Sequence, residues 1–319
     1  MMKISVVIPC YNVELHIRKC LDSILAQTYT DFEVICVDDR STDSSLSILQ
    51  KYKKKDDRIR IFQLPINSGS AKYPRDYAVQ QSYAPWICAV DADDYIPKDY
   101  LEKLIIRQDV THAQVILSKM LFFNDSNPKL LTIPADEFDF DQILSGREAV
   151  MLTINGWKIG AAGALVSKKI WVNQYKFLNQ KFTHMNADEF ATREILVNSS
   201  RVAFSDAVYY YRKHEDSITA NSCRVFEMLI TDRALIQLFK EKFGKASREY
   251  KIAITHYISS IASLTKYYNS IEKPTELTYN TLRSHYNLLS INHIIASTAS
   301  WRRKLVMLLP FYFYRILMK

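Results

Sequence analysis

Short apolar runs and longer amphipathic stretches take turns along the first 120 residues. Lys3 to Pro9, with Ile4, Val6, Val7 and Ile8, reads as a buried strand. Val13 to Gln27 follows with Ile17, Cys20, Leu21, Ile24 and Leu25 at helical spacing. Phe32 to Val37 is a second apolar strand ending in Asp38-Asp39, and Ser41-Thr42-Asp43 then offers a cap for a helix through Lys54. Ile59 to Leu64 predicts a third strand, Ser70 to Ser82 a helix with Pro74 near its first turns, and Trp86 to Val90 a fourth strand. A helix over Pro97 to Arg107 and a strand over Gln114 to Met120 complete the series. Strands alternating with helices at this spacing predict β-α-β units and a mostly parallel sheet. Residues 125–145 read as a polar, irregular connection, 146–222 as mixed, and Val225 to Ser300 as helical with a break at Lys273-Pro274.

The fourth strand carries the most informative feature. It runs directly into Asp91-Ala92-Asp93-Asp94. Three carboxylates within four residues at the end of a buried strand repel one another unless a cation compensates. Hard divalent ions such as Mg²⁺ or Mn²⁺ take one or two carboxylates together with phosphate oxygens. The pattern therefore predicts a metal-diphosphate site at the carboxyl edge of a parallel sheet, where open α/β sheets bind ligands. The competing reading is an acidic surface turn ahead of the next helix, and for Asp94 a cap on the following loop is an equal alternative.

Composition changes this picture little. The 319 residues are 48% hydrophobic and 24% charged, as in an ordinary globular protein with one large domain and appendages or two domains. The net charge of +8 is unevenly placed: Trp301 to Lys319 holds Arg302, Arg303, Lys304, Arg315 and Lys319 and no acidic residue. Basic residues mixed with aliphatics and aromatics there suit an interfacial anchor on the inner face of a membrane, with a final core helix or a homodimer contact as the alternatives. Five scattered cysteines, Cys10, Cys20, Cys36, Cys88 and Cys223, without a CxxC pair, predict buried thiols in a reducing compartment rather than zinc. The chain opens directly on a strand, so no signal peptide is expected, and no apolar stretch approaches the ~20 residues that span a bilayer. A cytoplasmic location, peripheral at the membrane, is expected. The basic balance comes without any nucleic-acid motif, so no nucleic-acid partner is expected.

Several motifs, taken in order, resemble family 2 glycosyltransferases with the GT-A fold. They are Ser5-Val6-Val7-Ile8-Pro9-Cys10-Tyr11-Asn12, Leu21 to Tyr29, Phe32 to Asp43, Asn67-Ser68-Gly69, Pro74-Arg75-Asp76 and Asp91-Ala92-Asp93-Asp94. The resemblance is dense over about the first 110 residues and looser to roughly 220, and the ordered set is far more specific than any one motif. It implies a Rossmann-like α/β domain over residues 1–222, a mostly parallel sheet flanked by helices, and a helical C-terminal region over 223–319. It implies transfer of a hexose or N-acetylhexosamine from a UDP-sugar to a hydroxyl, with inversion and with Mn²⁺ or Mg²⁺. The acceptor it implies is a growing surface glycan such as lipooligosaccharide, O-antigen or capsule, and the anchor-like tail fits an acceptor that hangs from a lipid.

The resemblance also implies roles. Pro9 and Tyr11 line the nucleobase pocket, Asp39 reads the base, Arg75 lies near the nucleotide, and Asp91 contacts the ribose. Ala92 sits between Asp91 and Asp93 in the nucleotide site, and Asp93 holds the metal bridging the phosphates. Many members carry Ala-Arg-Asn-x-Gly where this chain has Pro74-Arg75-Asp76-Tyr77-Ala78, which alters packing over the nucleotide and keeps the arginine. Asp188 is the expected base, with Glu189 either supporting it or serving as the base itself; the bland alternative is a pair that favours a helix N-terminus. Arg212 or His214 approaches the diphosphate, or His214 completes the metal shell, unless this is a solvated basic loop. His184 is a weaker acceptor contact, and Trp157 within Asn155 to Ala164 is either a sugar platform or a core residue in a tight turn. Two rivals stand against catalysis of this kind. A nucleotidyltransferase normally opens with a Gly-rich loop and a Lys, absent from Pro9-Cys10-Tyr11-Asn12, and a non-catalytic nucleotide-sugar-binding subunit would not need the acidic pairs.

Overall fold

The computed structural model describes residues 3–124, 127–132, 140–154, 162–172, 187–213, 224–270, 276–288 and 297–298. Two compact units are present: Met1–Thr183 with Ala191–Glu215, and His184–Phe190 with Asp216–Lys319.

The first unit is built on one sheet. Its strands are β1 (Ile4–Cys10), β2 (Phe32–Asp38), β3 (Ile59–Gln63), β4 (Trp86–Ala89), β5 (Val115–Asn124), β6 (Asn127–Thr132), β7 (Ile143–Leu144), β8 (Leu165–Ser167) and β9 (Val202–Arg212). The order is β3-β2-β1-β4-β8-β5-β9-β7, with β6 paired to β5. Among the described residues six strands run one way, β1 to β4 with β5 and β9, and β6, β7 and β8 run against them. This is the mostly parallel α/β sheet that the alternating pattern predicts. Every residue of β1 and β2 is buried, which is why both read as near-continuous apolar runs, interrupted by Ser5 and Glu33, rather than as alternating ones.

Helices α1 (Ile17–Leu25), α2 (Ser45–Lys53), α3 (Lys72–Gln81) and α4 (Tyr100–Thr111) cover the sheet. Ile17, Leu21 and Ile24 of α1 join Ile4, Val6, Ile8 and Val34 of the sheet in one core with Leu101 and Leu104 of α4. The predicted start of α1 at Val13 is four residues early. The main chain there is committed elsewhere: Asn12 N–H donates to Ser41 Oγ, Val13 N–H to Ser45 Oγ and Glu14 N–H to Asp43 Oδ2. Helix α4 runs a turn past Arg107 and stops at His112, which takes the left-handed conformation of a C-cap. The irregular connection expected over 125–145 is a correction. β5 continues through the apolar Leu121-Phe122-Phe123 to Asn124, and β6 returns against it with Phe122 opposite Leu131. Pairing with an existing edge makes a strand there that local pattern alone does not announce.

The remaining elements of this unit are α5 (Gly146–Ile154), α6 (Lys168–Val172) and α7 (Ala187–Val197), whose first residues count with the second unit. That second unit has α8 (Met228–Phe243), α9 (Arg248–Ser270) and α10 (Glu276–Leu288), preceded by a 3₁₀ turn over Arg224–Glu227. Leu229, Leu235 and Phe239 of α8 are buried, as are Ile254, Tyr257 and Ile261 of α9 and Leu282 of α10. The break at Lys273-Pro274, the tail 301–319 and Cys223 lie outside the described residues. Cys10, Cys20, Cys36 and Cys88 are free buried thiols. No helix among the described residues is long and apolar enough to cross a membrane.

Candidate active site

Strand order determines where the site forms. The chain winds outward from β1 to β2 and β3, then returns to the other side of β1 for β4. The connections after β1 and after β4 therefore leave in opposite directions and open a crevice at the carboxyl ends of the two strands. Pro9 and Cys10 end β1, Asp38 ends β2, and Asp91 to Asp94 follow β4, so the predicted nucleotide residues of three separate motifs meet at this edge.

Pro9 is buried in β1, and Tyr11 beyond it is 48% exposed. Asp39 is tied to β1 through its N–H, which donates to Cys10 O at 2.7 Å. Its carboxylate is held by one residue: Oδ1 accepts from Ser68 N–H and Oδ2 from Ser68 Oγ, each at 2.8 Å. Burial pushes the Asp39 carboxyl above its ordinary value, the bonds from Ser68 pull it down, and Asp38 beside it pushes it further up. Asn67 Nδ2 adds a bond to Asp39 O at 2.8 Å, so the Asn67-Ser68-Gly69 turn is fastened to the end of β2. Gly69 has φ 77°, a left-handed value that suits glycine. The sequence names the motif but gives no sign that Ser68 would hold Asp39.

Arg75 projects from the first turns of α3, and its Nη2 donates to Asp91 Oδ1 at 2.7 Å. Next to it, Asp76 accepts from Lys72 Nζ at 2.5 Å and from Trp171 Nε1 at 3.3 Å. The aspartate that departs from the usual family pattern thus carries an ion pair within α3 and a bond to α6.

In the acidic turn, Ala92 and Asp94 are buried while Asp91 and Asp93 are half-buried. Asp94, 1% exposed, accepts from Tyr209 Oη at 2.6 Å and from Arg212 N–H at 2.8 Å. Burial, then the charges of Asp91 and Asp93, push its carboxyl well above the usual range. Asp94 therefore fastens the turn to β9, a version of the capping alternative in which the partner is a strand and not the following loop. Arg212 is buried; its Nε donates to Asp93 O at 2.8 Å and its guanidinium lies 4.6 Å over the Phe123 ring. Neither Tyr209 nor its pairing is signalled in the sequence, where it is one of three consecutive tyrosines.

Asp188 and Glu189 stand in the first turn of α7, Asp188 exposed and Glu189 half-buried, and both count with the second unit. Trp157, His184 and His214 lie outside the described residues. Of the Asn155–Ala164 segment, Gly163 is described: at φ 71° its carbonyl accepts from Tyr100 Oη, and a Cβ on it would collide with the Tyr100 hydroxyl and the Tyr209 ring.

The donor chemistry suits a hard divalent cation. Asp91 and Asp93 supply carboxylate oxygens, while among the described residues no three His, Cys, Asp or Glu side chains form a complete metal cage. Two carboxylates completed by phosphate oxygens is how Mg²⁺ is usually held beside a nucleotide, so the residues present fit such an ion.

Residues 5–157 match the model of Glycosyl transferase family 2, and the chain belongs to that family. A poly(ribitol-phosphate) beta-glucosyltransferase of Bacillus spizizenii is 33% identical over 220 residues, which is 67% of this chain and 33% of the relative. The chain thus spans about a third of the length of this curated relative. The crystal structure of S. aureus TarS 1–349 in complex with UDP-GlcNAc superposes with a TM-score of 0.69 at 22% identity, covering 93% of this chain and 84% of that one. A mannosyltransferase of Pyrobaculum calidifontis, PcManGT, in complex with GDP-Man and Mn²⁺ gives 0.55 at 14% identity, covering 99% and 88%. Both show the shared GT-A fold.

Proposed function

We propose that this chain transfers a hexose or N-acetylhexosamine from a UDP-sugar to a hydroxyl of a surface glycan, with inversion and with Mn²⁺ or Mg²⁺. The observation that carries the reading is the meeting of Asp39, Arg75, Asp91 and Asp93 at the crevice between the carboxyl ends of β1 and β4. Tyr11 offers an exposed ring to a nucleobase, and Asp39 presents a carboxylate able to accept its imide N–H. Arg75 brings a fixed positive charge toward the phosphates while holding Asp91 in place. Asp91 and Asp93 would hold the divalent cation, which when bound neutralises charge building on the departing diphosphate. Asp188 or Glu189 takes the proton from the acceptor hydroxyl. Arg212 steadies the main chain at Asp93, and His214 following it is a second group suited to the diphosphate or the metal.

The acceptor is a surface polymer in this reading. The name of the Bacillus spizizenii relative specifies poly(ribitol phosphate), and the net charge of +8 suits an anionic chain of that kind as well as lipooligosaccharide, O-antigen or capsule. A lipid-linked acceptor and peripheral membrane contact through 301–319 belong to the same proposal, supported by the basic and aromatic composition of that segment.

Thermal stabilisation by UDP-, GDP-, dTDP- and CMP-sugars, each with and without Mn²⁺, tests the donor. A rise with a UDP-sugar that requires Mn²⁺, lost in Asp93→Ala, is expected. A Mn²⁺-dependent rise that survives in Asp93→Ala would sink the metal assignment, and a rise with another nucleotide would sink the choice of UDP.

A further inference from the structure

One phenol holds the acidic turn from β9. Tyr209 is fully buried, and its oxygen accepts from Asp91 N–H at 3.0 Å while its proton goes to Asp94 Oδ2 at 2.6 Å. A main-chain N–H can only donate, so the phenol oxygen must accept there, and its single proton is left for Asp94. Asp94 Oδ1 takes Arg212 N–H at 2.8 Å, and Arg212 Nε returns to Asp93 O at 2.8 Å. The turn closes on itself through Asp94 N–H to Asp91 O at 3.1 Å. The main chain of Asp91 is thereby fixed at its N–H and that of Asp93 at its carbonyl, both from β9. Asp94, 1% exposed, commits one bond from each carboxylate oxygen to this bracing.

We propose that Tyr209 is a positioning residue for the donor's divalent cation. It acts on the Asp91 main chain directly and on that of Asp93 through Asp94 and Arg212, so that both carboxylates serve one ion. The inference rests on the donor site proposed above. Groups that orient metal ligands typically change affinity by about 10–100-fold when removed, although they never touch the ion.

The test is a titration of Mn²⁺ into the full chain with and without UDP, reading free Mn²⁺ by its EPR signal. Wild type, Tyr209→Phe and Tyr100→Phe are compared. Tyr100 is the matched control: it is buried in the same core, gives its single proton to Gly163 O at 2.9 Å and pairs with the Ser118 hydroxyl at 2.8 Å, with no bond to the acidic turn. With UDP present, Tyr209→Phe is expected to weaken Mn²⁺ binding by about tenfold or more and Tyr100→Phe by less than about twofold, although both lower the melting temperature. Equal weakening in the two variants would make Tyr209 a structural residue only and overturn the proposal. Asp94→Asn supplies a second variant should Tyr209→Phe fail to fold. Its carbonyl keeps the Arg212 N–H bond while its NH₂ opposes the phenol proton, and it is expected to weaken Mn²⁺ likewise; unchanged affinity overturns the role given to Asp94. Wild type that takes up no Mn²⁺ with UDP would sink the donor reading and this inference with it. Wild-type uptake with an unaffected Tyr209→Phe sinks this inference alone.

Discussion

Asp39 and Ser68 meet at two points, the main-chain N–H on Oδ1 and the hydroxyl on Oδ2, each at 2.8 Å. The turn after β3 is thereby clasped to the end of β2, and the Asp39 carboxylate is oriented before any ligand arrives. Each carboxylate oxygen retains further acceptor capacity, so base recognition and the clasp are compatible.

Asp39→Asn separates the two duties. The amide keeps an oxygen for Ser68 N–H and an NH₂ for the Ser68 hydroxyl, so the clasp survives, whereas the anionic acceptor for the base is lost. A hydrogen bond to a charged group is worth about 1.5–3 kcal/mol, so UDP affinity should fall roughly tenfold to a hundredfold. Calorimetry of UDP binding in the presence of Mn²⁺ reads this directly. Unchanged affinity would move base recognition away from Asp39.

The acidic pair of α7 gives a second prediction. Asp188→Asn should leave UDP binding within about twofold while cutting transfer by about 10²–10⁴, the range of a general base. Glu189→Gln is the companion variant. Transfer that persists in the first and fails in the second assigns the base to Glu189; persistence in both removes the pair from proton transfer.

The legible part of the site was the part written in main-chain order. β1, β2 and β4 are short apolar runs with polar residues at their ends, and a parallel sheet brings those ends to one edge; the pattern pointed to Asp91 to Asp94 there, and the family resemblance added Pro9 and Asp39. What pairs with them was not legible. Ser68 on Asp39 and Tyr209 on Asp94 depend on which loop folds over which strand end, and Tyr209 lies 115 residues from Asp94. Tyr209, Tyr210 and Tyr211 look alike in sequence; only pleat and register decide that Tyr209 faces the turn while Tyr210 stacks on Tyr95 at 4.6 Å. The strands β6 and β7 were missed for a related reason, since an edge strand is made by its partner as much as by its own residues.

Below the site, Glu33 is buried in β2 and serves three donors: Ser5 Oγ at 2.6 Å, Tyr83 N–H at 2.7 Å and Arg60 Nη1 at 2.8 Å. Burial pulls its carboxyl upward, but the bonds from Ser5, Tyr83 and Arg60 outweigh it and hold the carboxyl below its ordinary value. Because the folded value is the lower one, the stabilisation is present above the ordinary glutamate value and is lost as pH falls from there through the lower, folded value. Glu33→Ala strands the donors and should cost about 3–5 kcal/mol, as for other broken buried pairs. Urea unfolding at pH 7 measures it, and a loss below about 1 kcal/mol would show that water replaces the carboxylate cheaply.

His285 makes the pH response of the helical unit testable. It is 5% exposed in α10 and shares a hydrogen bond of 2.7 Å between its Nδ1 and Tyr257 Oη. Burial, with Arg233 adding repulsion, pulls its pKa down to about 4, while Asp232 opposes the shift. An unfolded histidine titrates near 6.5. Between those values the unfolded chain binds the extra proton and the folded chain does not, so stability falls as the solution is acidified from about pH 6.5 to about pH 4. The full effect is on the order of 3 kcal/mol. His285→Gln keeps an amide within reach of Tyr257 and removes the titration. Unfolding free energies measured from pH 7 to pH 4 should therefore fall more steeply in the wild type than in the variant. Parallel slopes would mean that His285 takes up its proton while still folded, and that the polar contact with Tyr257 opens before the helices do.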